Sequence, residues 1–99
     1  MNTAAKGRRN EHRSMALFEA MGYETLRSAA SKTRWDFIAW NAHETYFVQV
    51  RTGRWPSPAE MEDFKQAMIP PRSSKIIHRW EQGQRLPLVK TVYDFRIGD

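Results

Sequence analysis

Two apolar runs stand close together near the middle of this chain, and they restrict its fold more than any other feature. The runs are FIAW at Phe37–Trp40 and YFVQVR at Tyr46–Arg51, and only the short segment NAHET separates them. Apolar runs that flank a short polar turn are typical of β-hairpins. A hairpin alone is marginally stable, so the sequence predicts a larger sheet built around this pair.

The rest of the chain predicts two helices and three further strands. One helix is expected from near Asn10 to about Met21, where apolar residues recur at three-residue steps before a glycine. A second should begin after Ser57 and end at two prolines. The other strands are expected at 23–28, 75–80 and 88–95. The order α-β-β-β-α-β-β predicts one α/β domain over residues 10–99, with a mixed sheet and a helix on each side, and residues 1–9 as a flexible basic arm.

Composition argues against a disordered, membrane-spanning or secreted protein. The chain has 99 residues, enough for one small domain, and 40% of them are hydrophobic, which argues against a disordered chain. No apolar run approaches the ~20 residues that span a bilayer, and no apolar segment follows the basic N-terminus, so neither a membrane partner nor a secretory signal is expected. The sequence has no cysteine, which excludes disulfides and thiol catalysis and fits a cytoplasmic protein.

The charge balance indicates a polyanionic partner. Lys and Arg number 16 against 11 Asp and Glu, a formal charge of +5. Such a domain favours nucleic acid, although a basic surface that serves only solubility is the alternative. The candidate contacts are Arg8, Arg9 and Arg13 around the first helix, and Arg54 and Trp55 in the loop GRWPSP. Solvated arginines, and a tryptophan that packs under its loop, are the alternatives.

Polar side chains interrupt the two apolar runs. Because side chains alternate along a strand, Gln49 and Arg51 share one face of the second run, where an amide and a guanidinium need partners. Asp36 begins the first run, and antiparallel pairing would bring it beside Arg51 or the residue next to it. These residues are either ordinary polar residues at strand ends or members of one site.

Glu11 is the fourth polar residue that could belong to this site. It lies at helical spacing from Met15 and Phe18, so it either caps the helix or reaches the sheet. Two carboxylates with an amide or main-chain oxygen form a site that suits Mg²⁺. A nearby arginine could then stabilise a phosphate under attack by water. The histidines lack the spacing of metal ligands, and His78 is expected on the surface of its strand.

Four short motifs together resemble the PD-(D/E)xK nuclease superfamily, and within it the archaeal-type Holliday-junction resolvases and their phage and bacterial relatives. The motifs are KGRRNEHR with Gly7 and Glu11, the turn and strand MGYETLRSAAS, the basic loop SKTRWD with Asp36, and QVR at Gln49–Arg51. The similarity covers residues 6–68. It implies a restriction-endonuclease-like core, branched DNA as the partner, and a homodimer, because such resolvases cut two strands symmetrically.

The resemblance also implies roles for individual residues. Glu11, Asp36 and Gln49 would bind Mg²⁺, with Mn²⁺ as a substitute, and the main-chain oxygen of Val50 would be a further ligand. Arg51 would take the place of the catalytic lysine. The residues expected to contact DNA from this part of the chain are Arg27, Ser31, Lys32 and Arg34.

Two positions depart from the pattern. Gln49 replaces an acid and brings no charge to the metal, and Arg51 replaces a lysine that could change its protonation state, which arginine cannot do. Two functions therefore stay open, a metal-dependent endonuclease that acts on branched DNA and a nuclease-fold module that binds nucleic acid without cutting it. A structural domain without affinity for nucleic acid is a third.

Overall fold

The computed structural model describes residues 3–28 and 34–98, and its elements follow the predicted order. The elements are α1 Thr3–Ala20, β1 Glu24–Arg27, β2 Phe37–Trp40, β3 Thr45–Thr52, α2 Pro58–Gln66, β4 Ser73–Trp80 and β5 Leu88–Tyr93. The predicted α/β class is confirmed. Neither of these helices is long and apolar enough to cross a membrane within the residues described.

The five strands form one mixed sheet in the order β1-β2-β3-β4-β5. The predicted hairpin is present, since β2 and β3 pair antiparallel with Phe37 opposite Val48 and Trp40 opposite Thr45. Strands β3 and β4 run parallel, and α2 makes the crossover that this requires. Strands β1 and β5 pair antiparallel with their neighbours. The C-terminal end of β3 therefore lies next to the start of β2.

Helix α1 covers one face of the sheet. Phe18 packs there in a buried cluster with Phe37, Ala39, Val48 and Ile76. The predicted helix start near Asn10 is wrong, because α1 begins at Thr3. The segment TAAKGRR consists mostly of alanine and long basic residues, which favour helix, so the residues from Thr3 onward extend α1 instead of forming a flexible arm.

Helix α2 lies on the opposite face, and its start is fixed by local hydrogen bonds. Ser57 is the N-cap, with its hydroxyl accepting from the main-chain N–H of Glu60, while the Glu60 carboxylate accepts from the main-chain N–H of Ser57. Pro58 occupies the first helical position, as predicted. Near the C-terminal end of α2, the Lys65 carbonyl accepts a hydrogen bond of 2.6 Å from Lys75 of β4. Phe64 is fully buried on the side that faces the sheet.

The predicted surface position of His78 is wrong. Its side chain is only 5% exposed beneath α1, where the ring stacks on Phe18 with 5.7 Å between centroids. Its Nδ1 lies 2.9 Å from the Ser14 hydroxyl, which also accepts a hydrogen bond of 2.8 Å from the Trp80 indole. Burial lowers the pKa of His78 to about 4, so the ring is neutral near pH 7.

We expect His78 to make the fold sensitive to acid. Because the folded pKa of about 4 lies below the ordinary 6.5, the unfolded chain binds the proton more readily. The free energy of unfolding should therefore fall as the pH drops from about 6.5 to about 4, by on the order of 3 kcal/mol. Urea unfolding across this pH range measures the effect. The free energy of unfolding should depend less on pH in His78→Gln than in the wild type, whereas His43→Gln, at an exposed site, should keep the pH dependence of the wild type. Parallel profiles for His78→Gln and wild type would contradict this assignment.

Candidate functional site

Asp36 is held at the start of β2 by contacts with β3. Its main-chain N–H donates to the Val48 carbonyl over 2.8 Å, and its carboxylate accepts a hydrogen bond of 2.7 Å from the Val50 N–H. Strand β2 begins one residue later, so the carboxylate takes the place of a strand partner for Val50. The hairpin predicted that Asp36 would lie beside Arg51 or the residue next to it, and Asp36 contacts Val50, the residue before Arg51.

Three of the predicted residues, Glu11, Arg27 and Arg51, lie within electrostatic reach of Asp36. Burial raises the pKa of Asp36 above its ordinary value, and the negative charge of Glu11 raises it further. The Val50 hydrogen bond and the positive charges of Arg51 and Arg27 act in the opposite direction. A half-buried carboxylate with a second carboxylate within electrostatic reach is the setting in which a divalent cation is stabilised.

The main chain of Val50 also contributes to this end of the sheet. The Val48 carbonyl points toward β2, because it accepts from Asp36. Main-chain groups repeat their direction every second residue along a strand, so the carbonyl of Val50 points to the same side. The Val50 N–H, on the same side, binds the Asp36 carboxylate. The carbonyl of Val50 is therefore directed toward the region of Asp36, as expected of a main-chain metal ligand.

Gln49 has one satisfied and one unsatisfied polar atom. Its Nε2 donates a hydrogen bond of 2.9 Å to the Arg34 carbonyl, which fixes the orientation of the amide. Its Oε1 is buried and has no hydrogen-bond partner within residues 3–28 and 34–98. Buried oxygens of this kind are normally paired, so the Gln49 oxygen is available to a cation or to a donor from a ligand.

Glu11 lies in the middle of α1, because the helix begins at Thr3, so the alternative role as a helix cap is ruled out. Its carboxylate accepts a hydrogen bond of 2.8 Å from Nε of Arg27 at the end of β1. Arg27, predicted to contact DNA, is thus engaged with a predicted metal ligand. The pair holds Glu11 on the side of α1 that faces the sheet end where Asp36 lies.

Arg51 has a partner that the sequence analysis missed. Its guanidinium contacts both carboxylate oxygens of Glu60, at 3.2 and 3.4 Å. The main-chain N–H of Ser57 chiefly lowers the pKa of Glu60, with smaller contributions from the Ser57 hydroxyl and from Arg51. Glu60 lies in the first turn of α2, the element that follows β3 along the chain, and an acid at that place was the signal that could have suggested this pair.

Several oxygens at this end of the sheet are of the kind that a divalent cation accepts. Asp36 and Glu11 supply carboxylates, Gln49 supplies a buried amide oxygen and Val50 a carbonyl, all of which are hard ligands that Mg²⁺ accepts. Within residues 3–28 and 34–98 there is no group of three acidic or histidine side chains placed to hold a metal.

Three of the predicted DNA contacts at the N-terminal helix differ in their surroundings. Arg8 and Arg9 are exposed on α1 and can reach a phosphate. Arg13 instead donates to Asn10 over 3.3 Å and to the Gln84 carbonyl over 2.9 Å. Its guanidinium also lies 4.0 Å from the centre of the Trp80 ring, so Arg13 is already engaged by contacts within the chain.

The remaining predicted contacts lie in two loops. Arg34 forms an ion pair of 3.0 Å with Asp63, whereas Ser31 and Lys32 lie outside the described residues. Arg54 is exposed. Trp55 is half-buried, and the cationic groups of Arg79 and Lys90 lie over its ring, 5.3 and 5.4 Å from the ring centre.

A comparison with solved structures identifies the architecture that holds this site. Hjc from Archaeoglobus fulgidus, a Holliday junction resolvase from an archaeal hyperthermophile, superposes with a TM-score of 0.71. The two are 16% identical, and the match covers 88% of this chain and 73% of Hjc. The chain has a nuclease fold. No protein-family description and no curated protein matches the sequence.

Proposed function

We propose that this protein is a metal-dependent DNA endonuclease that acts on branched DNA. The observation that carries the proposal is the convergence of Asp36, Glu11, Gln49 and Arg51 at one end of the sheet in a nuclease fold, where Asp36 is held against β3 by the Val50 N–H. The buried, unpaired oxygen of Gln49 supports a ligand at the same place.

Mg²⁺ would be held by the carboxylates of Asp36 and Glu11, the amide oxygen of Gln49 and the carbonyl of Val50. When bound, the ion supplies polarisation of the phosphate and a lower pKa for its coordinated water. Asp36 serves as a ligand whose orientation is set by the Val50 N–H. Hydrolysis joins the oxygen of water to phosphorus, breaks the bond to the leaving oxygen and transfers a proton to it.

Arg51 would bind the scissile phosphate and stabilise the negative charge that develops on it. Its guanidinium does not lose its proton in a protein, so it cannot take the proton from water as a lysine could. Glu60 holds Arg51 in place before DNA binds, and a phosphate would compete with Glu60 for the same guanidinium. This contact makes the affinity of Arg51 for phosphate depend on α2.

The proposed partner is DNA, which the formal charge of +5 and the exposed Arg8, Arg9 and Arg54 would attract. A four-way junction requires cuts in two strands, so we propose that two copies of the chain act together as a homodimer.

The second candidate is a module that binds DNA and does not cut it. Two observations favour it, namely the neutral amide of Gln49 in place of a charged ligand and the engagement of Arg51 with Glu60. Such a protein would still bind DNA with a steep dependence on salt, because its arginines would displace counterions from the phosphates.

A gel assay distinguishes the two functions. The protein is incubated with a labelled four-way junction, a linear duplex of the same sequence and a single strand, each with Mg²⁺, Mn²⁺ or chelator. Paired, metal-dependent cuts confined to the junction are the result expected of the endonuclease. A shifted junction band with no cutting under either metal would reject the endonuclease in favour of the binding module, and the absence of both would reject both functions.

A further inference from the structure

A cavity lies at the opposite end of the sheet from the candidate active site. It measures about 360 Å³ and opens between the C-terminal end of α2, the start of β4 and β5. Ser73, the first residue of β4, pairs with Thr45 at the start of β3, whereas Arg51 pairs with Arg79 at the other end of the same two strands. The cavity and the active site are therefore separate places.

The cavity is lined by positive charge. Lys65, Arg72 and Lys75 lie in its wall, and none of the described lining residues carries a carboxylate. Lys75 is only 4% exposed, and its ammonium donates a hydrogen bond to the Lys65 carbonyl. A cationic wall around an open space of this size favours an anionic occupant.

A buried hydroxyl adds a second, independent indication. Ser73 lines the cavity, and its Oγ is buried with no hydrogen-bond partner among the residues that the structure describes. Ser73 and Lys75 are two residues apart on β4, so both side chains lie on the face that carries α2. A buried polar atom without a partner is unfavourable, and an oxyanion in the cavity would accept its hydrogen bond.

Arg72 is fixed at the rim of the cavity by its backbone and its side chain. Its φ of 60° is in the left-handed region, which is uncommon for a residue other than glycine. The Arg72 carbonyl accepts from the Thr45 N–H over 3.0 Å, Nε donates to the His43 carbonyl over 2.7 Å, and the guanidinium lies over Phe95. The Nε bond uses one of five donors, and the planar guanidinium suits phosphate.

We propose that this cavity binds a phosphate ester, with Arg72, Ser73 and Lys75 around the phosphate group. Its volume corresponds to about a dozen water molecules at ~30 Å³ each, which is more space than a bare oxyanion fills. Pro70, Tyr93 and other apolar residues in the wall suit the organic body of the ester. The phosphate belongs either to a free nucleotide or to a nucleotide within a DNA strand, and the site does not depend on whether the chain cuts DNA.

The test is an NMR titration of the ¹⁵N-labelled full chain at constant ionic strength. The probes are thymidine 5′-monophosphate, thymidine as the phosphate-free control, and a twelve-nucleotide oligothymidylate. We expect saturable shifts of the Ser73, Lys75 and Tyr93 amide signals with the monophosphate, the oligonucleotide or both, and none with thymidine. A response to the monophosphate shows that the site accepts a free nucleotide. A response to the oligonucleotide alone shows that the site binds only a phosphate within a DNA strand.

Two variants and one matched control complete the test. Arg72→Gln should weaken binding by about tenfold or more, because a charge-assisted contact is lost, and Ser73→Ala should weaken it by a smaller factor. Arg85→Gln removes the same charge from an exposed turn outside the cavity and should leave affinity unchanged. The spectra of the free variants show whether each is folded. No saturable shift at these amides with either phosphate probe, or an equal loss in Arg85→Gln, would overturn the proposal.

Discussion

Replacing Asp36 by asparagine is expected to lower Mg²⁺-dependent cleavage of a four-way junction by at least about 100-fold, with junction binding preserved. An asparagine oxygen can still accept the 2.7 Å hydrogen bond from the Val50 N–H, so the tie between β2 and β3 remains while the charge is lost. Mutation of a residue that only supports a metal ligand typically lowers metal affinity or activity by ~10–100-fold, and mutation of a direct ligand should lower it further. Gel assays of cutting and of binding, carried out side by side, measure both effects.

The same variant should change stability in a way that depends on pH. Burial raises the pKa of Asp36, so the folded protein holds this proton more tightly than the unfolded chain does. The stability that protonation provides is present below the unfolded pKa, near 4, and is lost as the pH rises through the raised folded value. Thermal unfolding at pH 7 should therefore give Asp36→Asn a higher Tm than wild type, and the difference should shrink toward pH 4.

Asp63→Asn is the matched control, since Asp63 is an exposed acid on α2 paired with Arg34. It should cut junctions like the wild type. The rise in Tm that Mg²⁺ causes in the wild type should persist in Asp63→Asn and disappear in Asp36→Asn. If Asp36→Asn still cuts and still responds to Mg²⁺, Asp36 is not a metal ligand. If it unfolds, the carboxylate has a structural role.

The position of Asp36 could be predicted from the sequence because it depends on local pairing. A short turn between two apolar runs sets the register of the hairpin, and the register then places Asp36 beside Val50. The shared face of Gln49 and Arg51 follows from strand alternation in the same way. These predictions needed only neighbours along the chain and the partner strand of one hairpin.

Other features depend on contacts between elements that are distant in sequence. The pair between Arg51 and Glu60 forms because the crossover after β3 brings the first turn of α2 back over the strand. His78 lies on β4, which is buried on both faces, and it is the packing of α1 on that part of the strand that covers the ring. Strand periodicity gives no information about which face a distant helix covers.

The charges in the candidate site are already balanced in part without a metal. Glu11 is paired with Arg27, and Glu60 with Arg51, so Asp36 is the carboxylate in this group whose ionisation burial opposes. With a neutral residue at position 49, the net negative charge available to a cation is small. The affinity of the site for Mg²⁺ should therefore be limited by Gln49 more than by the geometry of the other ligands.

Gln49→Glu is accordingly expected to tighten Mg²⁺ binding by on the order of tenfold or more and to raise the rate of junction cleavage at low Mg²⁺. The glutamate loses the hydrogen bond that Nε2 donates to the Arg34 carbonyl and places a carboxylate near that oxygen. Without metal, the variant should therefore be less stable than the wild type. Thermal unfolding across a series of Mg²⁺ concentrations measures the recovery, because tenfold tighter binding adds about 1.4 kcal/mol when the ligand is in large excess.

Gln84→Glu adds the same charge in an exposed turn and serves as the control for Gln49→Glu. It should leave both the metal-free Tm and its dependence on Mg²⁺ unchanged. A lower metal-free Tm for Gln49→Glu that Mg²⁺ restores, with Gln84→Glu unaffected, would establish position 49 as part of a metal site even if neither protein cuts DNA. A loss of stability that Mg²⁺ does not restore would show that the amide only joins β3 to the Arg34 loop, and the metal-dependent mechanism would lose the ligand that distinguishes it.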